Sequence, residues 1–126
     1  MRHTTVFILL FLLGLSPAAA QEESIIVSVS IDPDADFSVF AMVGSDIVFR
    51  SGAADANTGV MVPVAVKGKT IQNICVRLGD GWRVPGPKGK TFQASCFKVE
   101  QKMIERGATG YSMKVERGDP SVPMPD

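Results

Sequence analysis

Histidine is almost absent: the single one, His3, sits at the extreme N-terminus. Cysteine occurs twice, tryptophan and tyrosine once each, and no apolar run is longer than the one before residue 16. Residues 1–20, MRHTTVFILLFLLGLSPAAA, read as a secretory signal. Arg2 and His3 form a positive start, Val6 to Leu15 is apolar, and Ala18-Ala19-Ala20 offers the small side chains of a cleavage site. The apolar run is about half of what crosses a hydrocarbon core of about 30 Å. The expectation is an exported chain, secreted or periplasmic, that begins at Gln21 and is soluble. The residue directly after the cleavage site is Gln21 and not cysteine, which argues against a lipid anchor.

Removal of His3 excludes Ser-His-Asp and Cys-His mechanisms and the imidazoles of most catalytic zinc sites. The 106 residues left of 126 suffice for one small domain, expected over 21–117. No GxSxG, GxGxxG or HExxH is present, and neither a cofactor nor a metal is expected. Two GKT triplets, Gly68-Lys69-Thr70 and Gly89-Lys90-Thr91, resemble the end of a phosphate-binding loop. That loop needs a glycine where this chain has Pro63 and Val84. Asp32, Asp34 and Asp36 begin like a calcium loop, but Phe37 and Val43 occupy its required glycine and glutamate positions. A solvated turn is the better reading.

Charge is unevenly spread along the chain. Gln21 to Val66 carries seven acids against one base, Arg50, whereas Lys67 to Asp126 carries eleven bases against six acids. Two folded halves can interleave and dissolve this asymmetry; otherwise it marks a basic face for an anionic partner or head-to-tail association.

What is present reads as short strands between turns. Ser24 to Ile31 alternates apolar and serine residues with period two. Phe37 to Val43 and Asp46 to Arg50 flank Gly44-Ser45. Val60, Val62, Val64 and Val66 share one face with Met61, Pro63 and Ala65 on the other, and Pro63, which has no N–H, sets that strand at an edge or pairs it on the side where the N–H is not needed. Lys67-Gly68-Lys69 is a tight turn before a strand from Thr70 to Leu78. Residues 97–106 fit a strand better than a helix, although Gly107 is a helix-ending residue. A last strand through Tyr111, Met113 and Val115 would return through a Gly107 to Gly110 turn, and a proline-rich tail, 118–126, is expected to be disordered. The fold class is all-β, a small sandwich or barrel of about seven strands with one disulfide.

That disulfide joins Cys75 and Cys96, the only pair in an oxidising compartment. If they face each other on antiparallel strands, their midpoint falls between Pro85 and Gly86. Val84-Pro85-Gly86-Pro87 has type II turn chemistry, with Gly86 at positive φ. The loop so formed holds Trp82, Arg83, Lys88 and Lys90, with Lys67 and Lys69 in a neighbouring turn. An aromatic among cations on a braced loop is a candidate contact for an anionic glycan, envelope component or acidic protein; otherwise Trp82 folds over the core and the cations are merely solvated. The expected function is therefore a non-enzymatic binding domain, working through this loop or an edge strand, with no nucleic-acid partner. The alternatives are a small inhibitor of an extracellular enzyme and a histidine-free hydrolase.

Overall fold

A computed structural model describes residues 23–118. The expected signal at 1–20 and the expected tail beyond Gly118 lie outside them.

The expected strand at Ser24 forms as β1 (Ser24–Ser30) and buries Ile25, Val27 and Val29, leaving the alternate serines exposed. It is the middle of a three-stranded sheet, between β5 (Gly59–Pro63) and β12 (Ala108–Ser112). The second sheet contains β2 (Asp36–Val43), β3 (Asp46–Arg50), β8 (Asn73–Leu78) and β11 (Ala94–Lys98) in the order β11-β8-β2-β3. The two-residue strand β4 (Ala54–Asp55) also pairs with β2. Alternation explains both inner faces. Phe37, Val39 and Ala41 of β2 and Ile74, Val76 and Leu78 of β8 join Ile25, Val27, Val29, Val60 and Val62 in one apolar cluster. Burying side chains of this size contributes about 1.5–3 kcal/mol each, which offsets the chain entropy of ordering so many short strands. The all-β reading holds.

Gly44, at φ 62°, opens the two-residue loop between β2 and β3. Such a loop favours glycine at that position because its twist matches the strands on either side. Pro63 does lie on an edge strand: β5 has one neighbour, β1. The strand expected to continue to Val66 breaks at Val64, and β6 (Ala65–Val66) pairs instead with β7 (Lys69–Thr70). Ile71 N–H then bonds Val64 O at 2.9 Å and Gln72 N–H bonds Met42 O at 2.8 Å. The chain thus changes partner within two residues, so Thr70 to Leu78 is not one strand.

Two expectations near the C-terminus are corrected. The strand over 97–106 stops at Lys98, and Gln101–Arg106 forms a helix, α1. Gly107 ends it at φ 71°, with its N–H bonding Met103 O at 3.0 Å and Ile104 O at 3.2 Å. Half-buried Met103 and Ile104 give the helix its inward side. Helical spacing therefore prevailed over alternation. In addition, Gly110 does not form a turn; it lies within β12, which runs parallel to β1 with Ser28 beside Gly110 and Ser30 beside Ser112. A parallel neighbour requires a crossover, and α1 supplies part of it.

Cys75 and Cys96 are directly opposite on antiparallel β8 and β11 and form a disulfide. Leu78 N–H bonds Gln93 O at 2.8 Å and Val99 N–H bonds Gln72 O at 2.9 Å, so the cysteines occupy a site between hydrogen-bonded pairs. Opposed Cα atoms are closest at such sites, here 4.0 Å apart.

Candidate functional site

The hairpin beyond the disulfide differs from its expected form. β9 (Trp82–Pro85) pairs antiparallel with β10 (Thr91–Phe92), Pro85 opposite Thr91 and Val84 opposite Phe92. Residues 79–83 lie between Leu78 and Val84, with nothing to match them between Phe92 and Gln93. This one-sided insertion moves the hairpin centre from Pro85-Gly86 to Lys88-Gly89. The type II turn is accordingly corrected. Lys88 at φ 59° and Gly89 at φ 71° are the two central residues, and Lys90 N–H bonds Pro87 O at 3.2 Å. Gly86 has an extended φ of −128°. Its lack of a side chain serves space, since a Cβ there would stand 2.4 Å from Phe92 Cε2.

The four residues of the candidate contact divide into two pairs, and Trp82 follows the alternative that folds it over the core. Trp82 is buried in the apolar cluster, with the Arg117 guanidinium 4.4 Å from its ring centroid. Arg83 is 1% exposed, and its Nη1 donates to the Trp82 carbonyl at 2.7 Å. The cause is β13 (Glu116–Arg117), which pairs along β9 with Arg117 opposite Trp82 and Glu116 opposite Arg83. Gly118 N–H continues this pairing to Gly81 O at 2.9 Å. Lys88 and Lys90 remain solvent-exposed at the hairpin tip. Lys67 and Lys69 are exposed as well, but their turn precedes β8 whereas the 82–92 hairpin follows it. The two basic turns therefore leave opposite ends of that strand and are not neighbours, contrary to expectation.

Both GKT triplets prove to be hairpin tips. In each, a lysine and a glycine take the two left-handed central positions: Lys67 (φ 51°) with Gly68 (φ 80°), and Lys88 (φ 59°) with Gly89 (φ 71°). Each triplet runs directly into strands, β7 and β8 or β10 and β11, and not into a helix, which is the structural reason they are not phosphate loops. The Asp32 carboxylate accepts from Asp34 N–H at 2.9 Å, and Ala35 N–H bonds Asp32 O at 3.0 Å, as a self-contained turn does. Among the described residues, no group of three metal-binding side chains occurs, and no helix is long and apolar enough to cross a membrane.

Two open depressions are candidates for a catalytic pocket. One, of about 430 Å³, is lined by Ser28, Ser30, Asn57, Tyr111 and Ser112, hydroxyls and an amide with no base beside them to activate a nucleophile. The other, of about 250 Å³, includes Asp36, Arg77 and Asp80, all solvent-exposed. Neither gathers a nucleophile and a base in hydrogen-bond contact.

The strongest unexplained feature is the outer edge of β5, which no strand among the described residues pairs with. Its neighbour across β1 is set by the pairs Ile26 with Met61 and Ser28 with Gly59. Ile26 is 43% exposed and Met61 63%, and these are the large hydrophobic residues that stand out as exposed. Edge strands are ordinarily protected by charge, bulges or covering segments. β3 carries Asp46 and Arg50, and β11 carries Lys98. β12 is tied to β11 by Tyr111, whose ring stacks on Phe97 at 4.8 Å and whose hydroxyl hydrogen-bonds the Ser95 hydroxyl. β5, Gly-Val-Met-Val-Pro, has no charge and only Pro63 as a guard. Alternation in the sequence sets Met61 on the face opposite Val60 and Val62, and Pro63 points to an edge. It carried no sign that Ile26 would lie beside Met61, because that pairing joins strands more than thirty residues apart.

Comparison with protein-family models, with curated proteins and with solved structures finds no match.

Proposed function

We propose that the protein is an exported, non-enzymatic binding domain that takes up a protein partner by strand addition along β5. The observation that carries this reading is the uncharged, single-neighbour edge with an exposed apolar pair beside it. Strand addition supplies affinity through backbone hydrogen bonds and selectivity through alternate side chains. Secretory export and the Cys75–Cys96 bridge are consistent with work in a periplasmic or extracellular space.

A second reading assigns an anionic glycan, envelope component or acidic protein to the Lys88-Gly89-Lys90 tip. It is supported by the rigid turn that holds both lysines in solvent. Affinity capture with the whole protein as bait separates the two. Met61→Pro removes an outward N–H at the centre of β5 while leaving the β1 pairing intact. Loss of the captured partner with Met61→Pro, but not with Lys88→Ser plus Lys90→Ser, supports the edge. The opposite pattern, together with weakening by salt, rejects the edge in favour of the tip.

A further inference from the structure

We infer that the partner taken up along β5 is a second copy of this chain, joined antiparallel about a two-fold axis at Met61; this rests on the strand-addition reading above. The register carries the first part. Val29 N–H bonds Thr58 O at 3.2 Å and Val64 N–H bonds Glu23 O at 3.1 Å, and the ladder between them pairs Val27 with Val60 and Ile25 with Val62. Hydrogen-bonded residues alternate along an antiparallel ladder. Residues 58, 60, 62 and 64 therefore face β1, and the backbone groups of Gly59, Met61 and Pro63 point away from it.

One antiparallel register matches every outward residue of β5 with an outward residue of a second β5: Met61 with Met61 and Gly59 with Pro63. Met61 N–H and C=O bond their counterparts in both directions, and each Gly59 N–H meets a Pro63 carbonyl. Pro63 has no N–H to leave unsatisfied. Residues opposite one another lie on the same face of a sheet, so Ile26, Met61, the second Met61 and the second Ile26 form one continuous row. The exposed apolar pair of each copy thereby gains an apolar neighbour.

Charge supports a like partner in this orientation. β5 itself has nothing to repel its copy. Asp55 lies four residues before Gly59, held near the strand by Thr58 Oγ1 donating to the Asp55 carbonyl at 2.8 Å. Lys67 lies four residues after Pro63, in the turn that returns through β7. Antiparallel approach sets Asp55 of one copy toward Lys67 of the other, the Lys67 end also carrying Glu23 beside Val64.

Sedimentation of the protein as the expressing cell delivers it, over a range of concentrations, is the direct test. A dimer is expected. Met61→Lys places like charges opposite each other on the axis and should raise its dissociation constant about tenfold or more, with circular dichroism and melting temperature retained. Met61→Cys should yield an interchain cross-link with a short bifunctional thiol reagent, since opposed Cα atoms in a hydrogen-bonded pair stand about 5.5 Å apart, whereas Ser112→Cys on the far edge should not. A protein that stays monomeric to about 1 mM overturns the inference. If that monomer still captures another protein and loses it with Met61→Pro, strand addition stands and only the identity of the partner falls. A dimer that survives Met61→Lys, or that cross-links through Ser112→Cys, uses another surface and also overturns the inference.

Discussion

The tetrapeptide Lys-Gly-Lys-Thr occurs twice, at Lys67–Thr70 and Lys88–Thr91, and folds the same way at opposite ends of β8. Each copy puts lysine and glycine in the two left-handed positions of a hairpin turn and exposes both of its lysines. The surroundings differ. The first tip closes a two-residue ladder, β6 with β7, where the chain passes from one sheet to the other. The second projects from a three-stranded unit, β10-β9-β13, whose base is covalently stapled and whose inner residue, Trp82, is part of the core. Local sequence determines the shape of a tip; its attachment determines how firmly it is held and what it can resist.

The sharpest way to break this comparison is Trp82→Ala. Emptying a buried tryptophan site should cost about 3–5 kcal/mol and lower the melting temperature of the whole domain. An unchanged melting temperature would mean that the second tip is not anchored through Trp82. Next in size, Cys75→Ser with Cys96→Ser should cost about 3 kcal/mol, since the bridge closes a sequence separation of 21 residues. In native-state hydrogen exchange, protection should fall more at the amides of Leu78 and Val99, beside the bridge, than at Ile71, beside the first tip. Equal loss at all three would show that the staple acts on the domain as a whole.

Gly86→Ala should cost about 1–3 kcal/mol by driving a methyl into the Phe92 ring. Chemical denaturation of Phe92→Ala alone and of the double variant tests the cause, for the glycine substitution should then cost much less. Smallest is the matched pair Gly68→Ala and Gly89→Ala. A methyl group added at either glycine would meet no atom within 4 Å, and both residues lie at positive φ. Each substitution should cost about 1 kcal/mol for backbone reasons alone. A large difference between the two denaturation midpoints would show that the tips are not locally equivalent.

Much of the fold was legible wherever neighbouring residues decide it. Period-two alternation located β1, apolar runs split by Gly44-Ser45 located β2 and β3, Pro63 marked an edge, and the lone cysteine pair indicated a disulfide between antiparallel strands. Residues 97–106 were misread because Val99 and Met103 satisfy both periods, joined by Phe97 at strand spacing and by Cys96 at helical spacing. The choice fell to helix, where Met103 and Ile104 turn inward together and Gly107 ends the segment. Of the two readings left open for Trp82, the one that folds it over the core holds, for a cause that lies elsewhere in the chain. Trp82 and Arg83 are adjacent to exposed lysines in the chain, but β13, some thirty residues later, lies along them. Nothing near Trp82 announces that cover.

By itself, then, the sequence determined the strand at Ser24, the two strands flanking Gly44-Ser45, the Lys67-Gly68 turn, the all-β class, the cysteine pairing and the placing of Met61 opposite the valines of its strand. These follow from side-chain alternation, from the φ preferences of glycine and proline, and from the count of cysteines, all properties of a few adjacent residues. Only the tertiary structure decided that β12 runs parallel to β1, that Arg83 is buried, that the two basic turns stand at opposite ends of β8, and that Ile26 meets Met61 on an unguarded edge. Each of these joins segments far apart in the chain. Their pairing is selected by the shared burial of both sheets in one core, a free energy that belongs to no local stretch of sequence.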